Sequence, residues 1–388
     1  MACSRVVRIL QISHAFPPTF GGVESHVHDL ARGLAARGHE VTCLVGGDGE
    51  QDAGQGADPI RVVRHPAIRV QDLLAVERQG PEAVSRARGQ VARVLRGIFD
   101  AHKPDVVHVH NAHHFSGLLA EAVLGEASAT PVVDTVHDRV GEYLRPEVLN
   151  LPWAHVLYAS HYLLEALPTR CHHSVLWLGI DLTRFTPEGP SDPRLATLPK
   201  PVLFHPARLL RWKGIHVSIA ALALLRQAGV PASLVLCGSS EIVDDQDELR
   251  AYRQELGQLA DRLSVSDQVH FEIFERDRMH EAYRASDLVW YPTVDPEPFG
   301  LVPLEAMATG SVIVASDSGG IRETVDDGRT GFRVPAGDAS ALAAASLLVL
   351  RDPELRDIII REAVRHSEQF GLDCYLDALE HLYESLVA

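Results

Sequence analysis

From end to end, the chain alternates short β-branched apolar runs with amphipathic stretches of helical period. No other feature restricts its fold as much. Strands that each lead into a helix join one sheet in parallel, because the helix carries the chain back across a face. In the first repeat, VVRILQIS (residues 6–13) reads as a strand, and a Pro- and Gly-rich loop follows it. Val23, Val27, Leu30, Ala31 and Leu34 then recur at helical spacing. Gly38 ends that helix, and EVTCLV (40–45) is the next strand. Further strands are predicted at 60–65, 105–110, 131–136, 155–159 and, more briefly, 174–178. The Gly-, Asp- and Gln-rich tract at 46–58 reads as a surface loop.

Residues 187–201 contain five prolines and read as a linker, after which a second series of the same kind begins. It has strands at PVLFHPA (201–207), SLVLCG, 268–271, 287–291 and SVIVAS, and three helical stretches close the chain. At 388 residues the sequence suits two domains of similar size, expected over 1–186 and 187–371. The expected class is α/β, two Rossmann-like doubly wound parallel sheets facing a central cleft. Strand carboxyl ends and helix N-termini would line that cleft.

Composition narrows the partners. A formal net charge of −16 disfavours nucleic acid, which needs clustered Lys and Arg, and disfavours docking on anionic lipid. The apolar run at 339–350 is too short to cross a bilayer, so no transmembrane segment is expected. MACSRVVRIL has no apolar run followed by a cleavage site and reads as the first strand rather than a signal peptide. Cys3, Cys43, Cys171, Cys237 and Cys374 are odd in number and scattered without C-x-x-C, which points to free thiols and a cytoplasmic protein.

The densest chemistry lies in DPEPFGLVPLEAMATGSVIVASDSGGIRETVDDGRTGF, residues 295–332. Glu297 falls on the loop after a strand and Glu305 eight residues later. Pro303 fits the first position of a helix, which would put Glu305 in its first turn near the positive end of the dipole. Gly300, Leu301 and Val302 would then offer unpaired backbone N–H groups. Amides at a helix N-terminus bind a diphosphate, and a carboxylate accepts two hydrogen bonds from a diol. Gly319 and Gly320 permit a close backbone approach. HPARLLRWKG places Arg208 and Lys213 five residues apart after a strand, two cations fit to stabilise a departing diphosphate. PPTFGGVESH sets Gly21 and Gly22 between the first strand and helix, and VVDTVHD sets His137 at a strand end.

The segment at 295–332 closely resembles the E-x7-E donor motif of glycosyltransferase family 4, whose members have the two-domain GT-B fold. The Arg208/Lys213 segment is similar to that family's R-x4-K, and the likeness covers nearly the whole chain. It implies that Glu305 holds the ribose hydroxyls and that Glu297 lies near the donor sugar. The amides of Phe299, Gly300, Leu301 and Val302 would contact sugar and phosphates. Gly21 and Gly22 would face the diphosphate, and His137 would lie beside the sugar. The last helix (372–388) would pack back on the N-terminal domain. Leu178 departs from the asparagine many relatives carry, and FEIFERDR (271–278) lacks the usual glycine.

The activity so implied is a retaining, metal-independent transfer of a hexose or N-acetylhexosamine from a nucleotide diphosphate sugar, UDP being the expected base. The sugar donor is a co-substrate, and no cofactor is expected. The catalytic candidates are Glu297, His137, Arg208 and Lys213. Glu24, Asp134, Asp138 and Glu142 fall near cleft loops, and with the net charge they favour a small cationic acceptor such as an aminocyclitol of an antibiotic pathway. A nucleotide-sugar epimerase of the same fold, or a transferase acting on a lipid or sugar-phosphate acceptor, are the alternatives. His108, His110, His113 and His114 invite a metal reading, but no further ligands are marked. Asp245-Gln246-Asp247 spells D-x-D but reads as a solvated helix start.

Overall fold

The computed structural model describes residues 5–17, 21–47, 59–114, 117–139, 144–238 and 246–388. Glu142, Asp245 and Cys3 fall outside them. The chain divides into one unit of Met1–Gly179 with Leu372–Ala388 and another of Ile180–Gly371.

The first unit runs β1 (Arg8–Ser13), α1 (Gly22–Ala36), β2 (Glu40–Gly46), β3 (Arg61–His65), α2 (Val70–Glu77), α3 (Pro81–His102) and β4 (Val106–His110). It continues with α4 (Gly117–Ala127), β5 (Val132–Val136), β6 (His155–Tyr158), α5 (His161–Ala166) and β7 (His173–Val175). Every pairing is parallel, in the order β3-β2-β1-β4-β5-β6-β7. β1 and β4 are buried along nearly their whole length, which suits their near-continuous apolar runs.

The second unit carries α6 (Pro193–Ala196), β8 (Val202–His205), α7 (Ile215–Gln227), β9 (Ser233–Gly238), α8 (Gln246–Arg262), β10 (Val269–Ile273), α9 (Met279–Ala285) and β11 (Leu288–Tyr291). Then come α10 (Leu301–Ala308), β12 (Val312–Ser316), α11 (Ile321–Thr324), β13 (Phe332–Val334), α12 (Ala339–Arg351) and α13 (Pro353–Ser367). Its strands are parallel in the order β10-β9-β8-β11-β12-β13. The proline-rich stretch read as a linker is docked on this unit. Asp192 N–H donates to Glu281 O at 3.0 Å, and the Arg284 guanidinium donates to Thr186 O and Pro190 O.

After α13 the chain returns to the first unit as α14 (Leu372–Val387), which packs on α1 and β4. Gly33 lets α14 approach, since a Cβ there would stand 2.6 Å from Leu376 Cδ1. At the end of α1, Arg37 reaches Asp373 (2.9 Å), Asp377 (2.5 Å) and Glu380 (2.8 Å) on α14. Such a network shares the entropy of ordering one arginine among three acids, so it is worth more than an isolated exposed pair.

A block of imidazoles lies beneath this helix. His108 meets the Tyr383 hydroxyl through Nδ1 and Thr135 Oγ1 through Nε2, both at 2.6 Å. His110 Nδ1 meets His137 Nε2 at 3.0 Å, and the His108 and His110 rings lie 4.3 Å apart. Burial first, and neighbouring imidazoles second, bring His108 down to about 3 and hold His110 and His137 well below the ordinary value.

In the unfolded chain these rings take up protons near pH ~6.5 that the folded rings refuse, so their contribution to stability is lost as pH falls from there toward ~3. Buried Asp134, pushed up to about 7, acts in the opposite sense, but it is one carboxyl against three rings. Thermal unfolding followed by scanning fluorimetry is therefore expected to show a midpoint that drops between about pH 7 and pH 5. A midpoint constant over that range would contradict the neutral, buried stack.

Candidate functional site

The strand order of the second unit reverses direction between β8 and β11, and ligand sites in open α/β sheets gather at the carboxyl ends of the strands flanking such a point. The loop after β8 carries Arg208 and Lys213, and the loop after β11 carries Glu297. The loop after β12, the next strand over, carries Gly319 and Gly320.

Backbone hydrogen bonds tie the three loops together. Val294 N–H donates to Trp212 O at 2.8 Å, and Gly320 N–H donates to Glu297 O at 2.8 Å. Gly319 has φ +56°, and a Cβ there would stand 2.1 Å from Glu297 O. A Cβ on Gly320 would stand 2.5 Å from Pro298 O. The glycine pair thus buttresses the backbone that carries Glu297, which requires both a left-handed conformation and a bare Cα.

Lys213 Nζ lies 2.9 Å from Glu297 Oε2 and 2.5 Å from the Tyr291 hydroxyl. Its ammonium also stands 3.7 Å from the centroid of the Trp212 ring. The lysine and glutamate side chains are only 12% and 11% exposed, so removing either would leave an uncompensated buried charge. Tyr291 donates in turn to Glu297 Oε2 at 2.8 Å. Burial, then the Glu297 carboxylate, pushes the Tyr291 phenol well above its ordinary value, with half-exposed Arg208 near enough to pull the other way. Glu305 is held similarly, with the Tyr283 hydroxyl donating to its Oε2 at 2.7 Å.

The start of α10 differs from the sequence expectation. The helix opens at Leu301, capped by Gly300 at φ +104°, so Pro303 is its third residue and Glu305 lies beyond the first turn. A left-handed glycine allows the chain to turn into the helix two residues early, and a proline is tolerated there because the first N–H groups have no intrahelical partner. Leu301 and Val302 accordingly present helix-start amides, while Phe299 is buried.

The other residues singled out from sequence lie in the first unit. Gly21 is the N-cap of α1 and Gly22 its first residue. His137 follows β5 and is buried; its backbone N–H donates to Asn111 Oδ1 at 2.7 Å, and its Nδ1 has no hydrogen-bond partner among the described residues. Asp134 is buried in β5 and accepts from Ala112 N–H at 3.1 Å. His113 donates through Nε2 to Asp138 O, 2.7 Å away. Among the described residues no group of three or more His, Cys, Asp or Glu side chains is arranged to hold a metal ion.

Sequence reasoning missed Tyr291, Tyr283 and His205. Tyr291 ends β11, the place where a parallel strand presents its last side chain to the site, so position alone could have marked it. His205 ends β8, its Nδ1 bonded to Ser218 Oγ at 2.8 Å and its Nε2 without a hydrogen-bond partner among the described residues. Burial and then Lys213 bring it down to about 3. A cavity of about 400 Å³ lined by Arg211, Trp212, Tyr252 and Asp295 flanks the cluster without reaching Lys213 or either glutamate.

Two family profiles match: Glycosyltransferase Family 4 over residues 20–184 and Glycosyl transferases group 1 over 192–366. The D-inositol 3-phosphate glycosyltransferase of Xylanimonas cellulosilytica is 30% identical over 94% of this chain and 91% of its own. The phosphatidyl-myo-inositol mannosyltransferase of Mycobacterium leprae is 26% identical over 94% and 93%. The solved Anabaena HepE structure, in complex with UDP and glucose, shares the fold at a TM-score of 0.74 and 23% identity, covering 98% of this chain and 100% of that one. No helix among the described residues is long and apolar enough to cross a membrane. With two parallel α/β sheets, matches to both halves and a relative of this identity over almost its full length, the chain belongs to glycosyltransferase family 4 and is a hexosyltransferase of the GT-B fold.

Proposed function

We propose that the chain transfers a hexosyl group from a nucleoside diphosphate sugar to a hydroxyl of a cyclitol-like acceptor, with retention and without a metal ion. The observation that carries this reading is the gathering of Lys213, Glu297 and the start of α10 at the ends of β8 and β11. A helix N-terminus takes the diphosphate, and fixed cations do for the departing phosphate what a bound metal does elsewhere. Glu305 receives the ribose hydroxyls, and Glu297 receives hydroxyls of the sugar. In the transfer step the bond from the anomeric carbon to the β-phosphate oxygen breaks. The acceptor oxygen attacks on the same face, and the departing phosphate oxygen takes its proton. Arg208 and Lys213 hold the negative charge that develops.

UDP is the preferred base, in line with the nucleotide bound to HepE. An inositol ring figures in the names of two relatives, which favours a polyhydroxylated cyclohexane as acceptor. A net charge of −16 favours amino over phosphate substituents on that ring, hence an aminocyclitol in the cytoplasm. The relatives' names favour a second reading, an inositol phosphate or its lipid.

Purified protein incubated with UDP-, GDP- and ADP-sugars and a mixed acceptor pool, read by mass spectrometry, tests the proposal. Transfer to an aminocyclitol, undiminished by EDTA, is expected. Conversion of the donor without acceptor would mark an epimerase, and activity restored only by magnesium would remove the cation argument.

Lys213→Ala is expected to lower kcat by about 100-fold or more through loss of leaving-group stabilisation, checked by steady-state kinetics beside a thermal melt. A folded variant at full rate would refute that role. Glu305→Ala is expected to weaken nucleoside diphosphate binding about 10-fold or more by calorimetry, the loss of a charge-assisted hydrogen-bond pair. Unchanged affinity would remove the ribose contact.

A further inference from the structure

The two glutamates of the site are each held by a buried tyrosine, and the two arrangements differ. Tyr283 is fully buried and donates to Glu305 Oε2 at 2.7 Å. Tyr291, 2% exposed, stands between a cation and an acid, 2.5 Å from Lys213 Nζ and 2.8 Å from Glu297 Oε2.

The chemistry of the groups sets the direction of each bond. An ammonium can only donate and a carboxylate can only accept, so the single hydroxyl proton of Tyr291 goes to Glu297 while its oxygen accepts from Lys213. Burial and the adjacent carboxylate keep this phenol protonated, and the polarity cannot reverse. Both the tyrosine and the lysine then converge on one oxygen, Oε2. Glu297 is pinned through that atom, which leaves Oε1 as the oxygen that can accept from a sugar hydroxyl. The ring is fixed by β11, which lies between β8 and β12 in the sheet, so the hydroxyl holds the loop after β8 and the loop after β11 at a set distance.

We propose that Tyr291 is a positioning residue for the transfer step, setting the orientation of Glu297 toward the sugar and of Lys213 toward the leaving phosphate, while Tyr283 positions Glu305 for nucleotide binding alone. The division rests on the sugar- and ribose-binding roles given above. It goes further in requiring that two chemically equivalent lesions have opposite kinetic consequences. Removing the Tyr291 hydroxyl takes one support from a carboxylate and an ammonium that meet the reacting centre, where misplacement of about 1 Å costs about 100-fold in rate. Removing the Tyr283 hydroxyl loosens a group remote from the bond that breaks, so it lowers affinity for ground state and transition state alike.

The experiment compares Tyr291→Phe and Tyr283→Phe, which keep the buried rings. Four readouts are taken: kcat, KM for the donor sugar, UDP affinity by calorimetry, and the thermal midpoint. Tyr291→Phe is expected to lower kcat between about 10- and 100-fold with UDP affinity within about two-fold of the parent. Tyr283→Phe is expected to raise KM and weaken UDP binding with kcat nearly unchanged. Parental kcat in Tyr291→Phe, equal losses of kcat and affinity in both variants, or a loss of kcat confined to Tyr283→Phe would each overturn the proposal. A rate loss explained by a collapsed thermal midpoint would do the same, since that marks a merely structural hydroxyl. Failure of the proposed function looks different, because the parent chain itself would then bind no nucleotide or transfer no sugar.

Discussion

A buried ammonium and a buried carboxylate face each other at 2.9 Å in the second unit, and much of the architecture around them is the condition for keeping them there. Either charge alone would be costly at such low exposure, and the pair is tolerable only where geometry is good and the remaining polar capacity is used. Tyr291 supplies a hydroxyl that both donates and accepts, and Trp212 lays its ring against the ammonium. The loops themselves are held by backbone bonds between Val294 and Trp212 and between Gly320 and Glu297. In the proposed transfer, a charge pair fixed this way would meet a ligand whose own charge changes without the surrounding dipoles having to reorganise.

The first unit solves a different problem, that of burying imidazoles. Burial holds His108, His110 and His137 neutral at about pH 7, so they act as neutral donors and acceptors to Tyr383, Thr135 and one another. Whichever of His110 and His137 donates to the other, each keeps one ring nitrogen without a hydrogen-bond partner among the described residues, and one of the two carries a hydrogen. α14 covers the His108 end of this stack with Tyr383 and locks to α1 through Arg37. A helix late in the chain thereby completes a core laid down by the earliest strands.

Much of this was legible in advance, for identifiable reasons. Parallel strands buried on both faces read as near-continuous apolar runs, so β4, β5, β9 and β12 announce themselves. The spacing of Arg208 and Lys213 and of Glu297 and Glu305 is local information, carried by short continuous stretches of chain. Less visible was anything set by backbone conformation. α10 begins two residues before Pro303 because Gly300 adopts φ +104°, and the proline-rich stretch docks through hydrogen bonds to α9 that its composition does not reveal.

Sequence alone determined the class of fold, the likeness to family 4 and the set of charged residues available for chemistry, because periodicity and motif spacing depend on neighbours along the chain. Only the tertiary structure decided which of those residues meet. The Lys213–Tyr291–Glu297 contact joins loops that follow strands β8 and β11, far apart in sequence and adjacent in the sheet. Tyr283 against Glu305 and Tyr383 against His108 are likewise long-range contacts between buried groups. Burial then holds Tyr291, Tyr283, Tyr383 and His108 in their neutral forms, because desolvation depends on everything packed around an atom and not on the residues beside it in the chain.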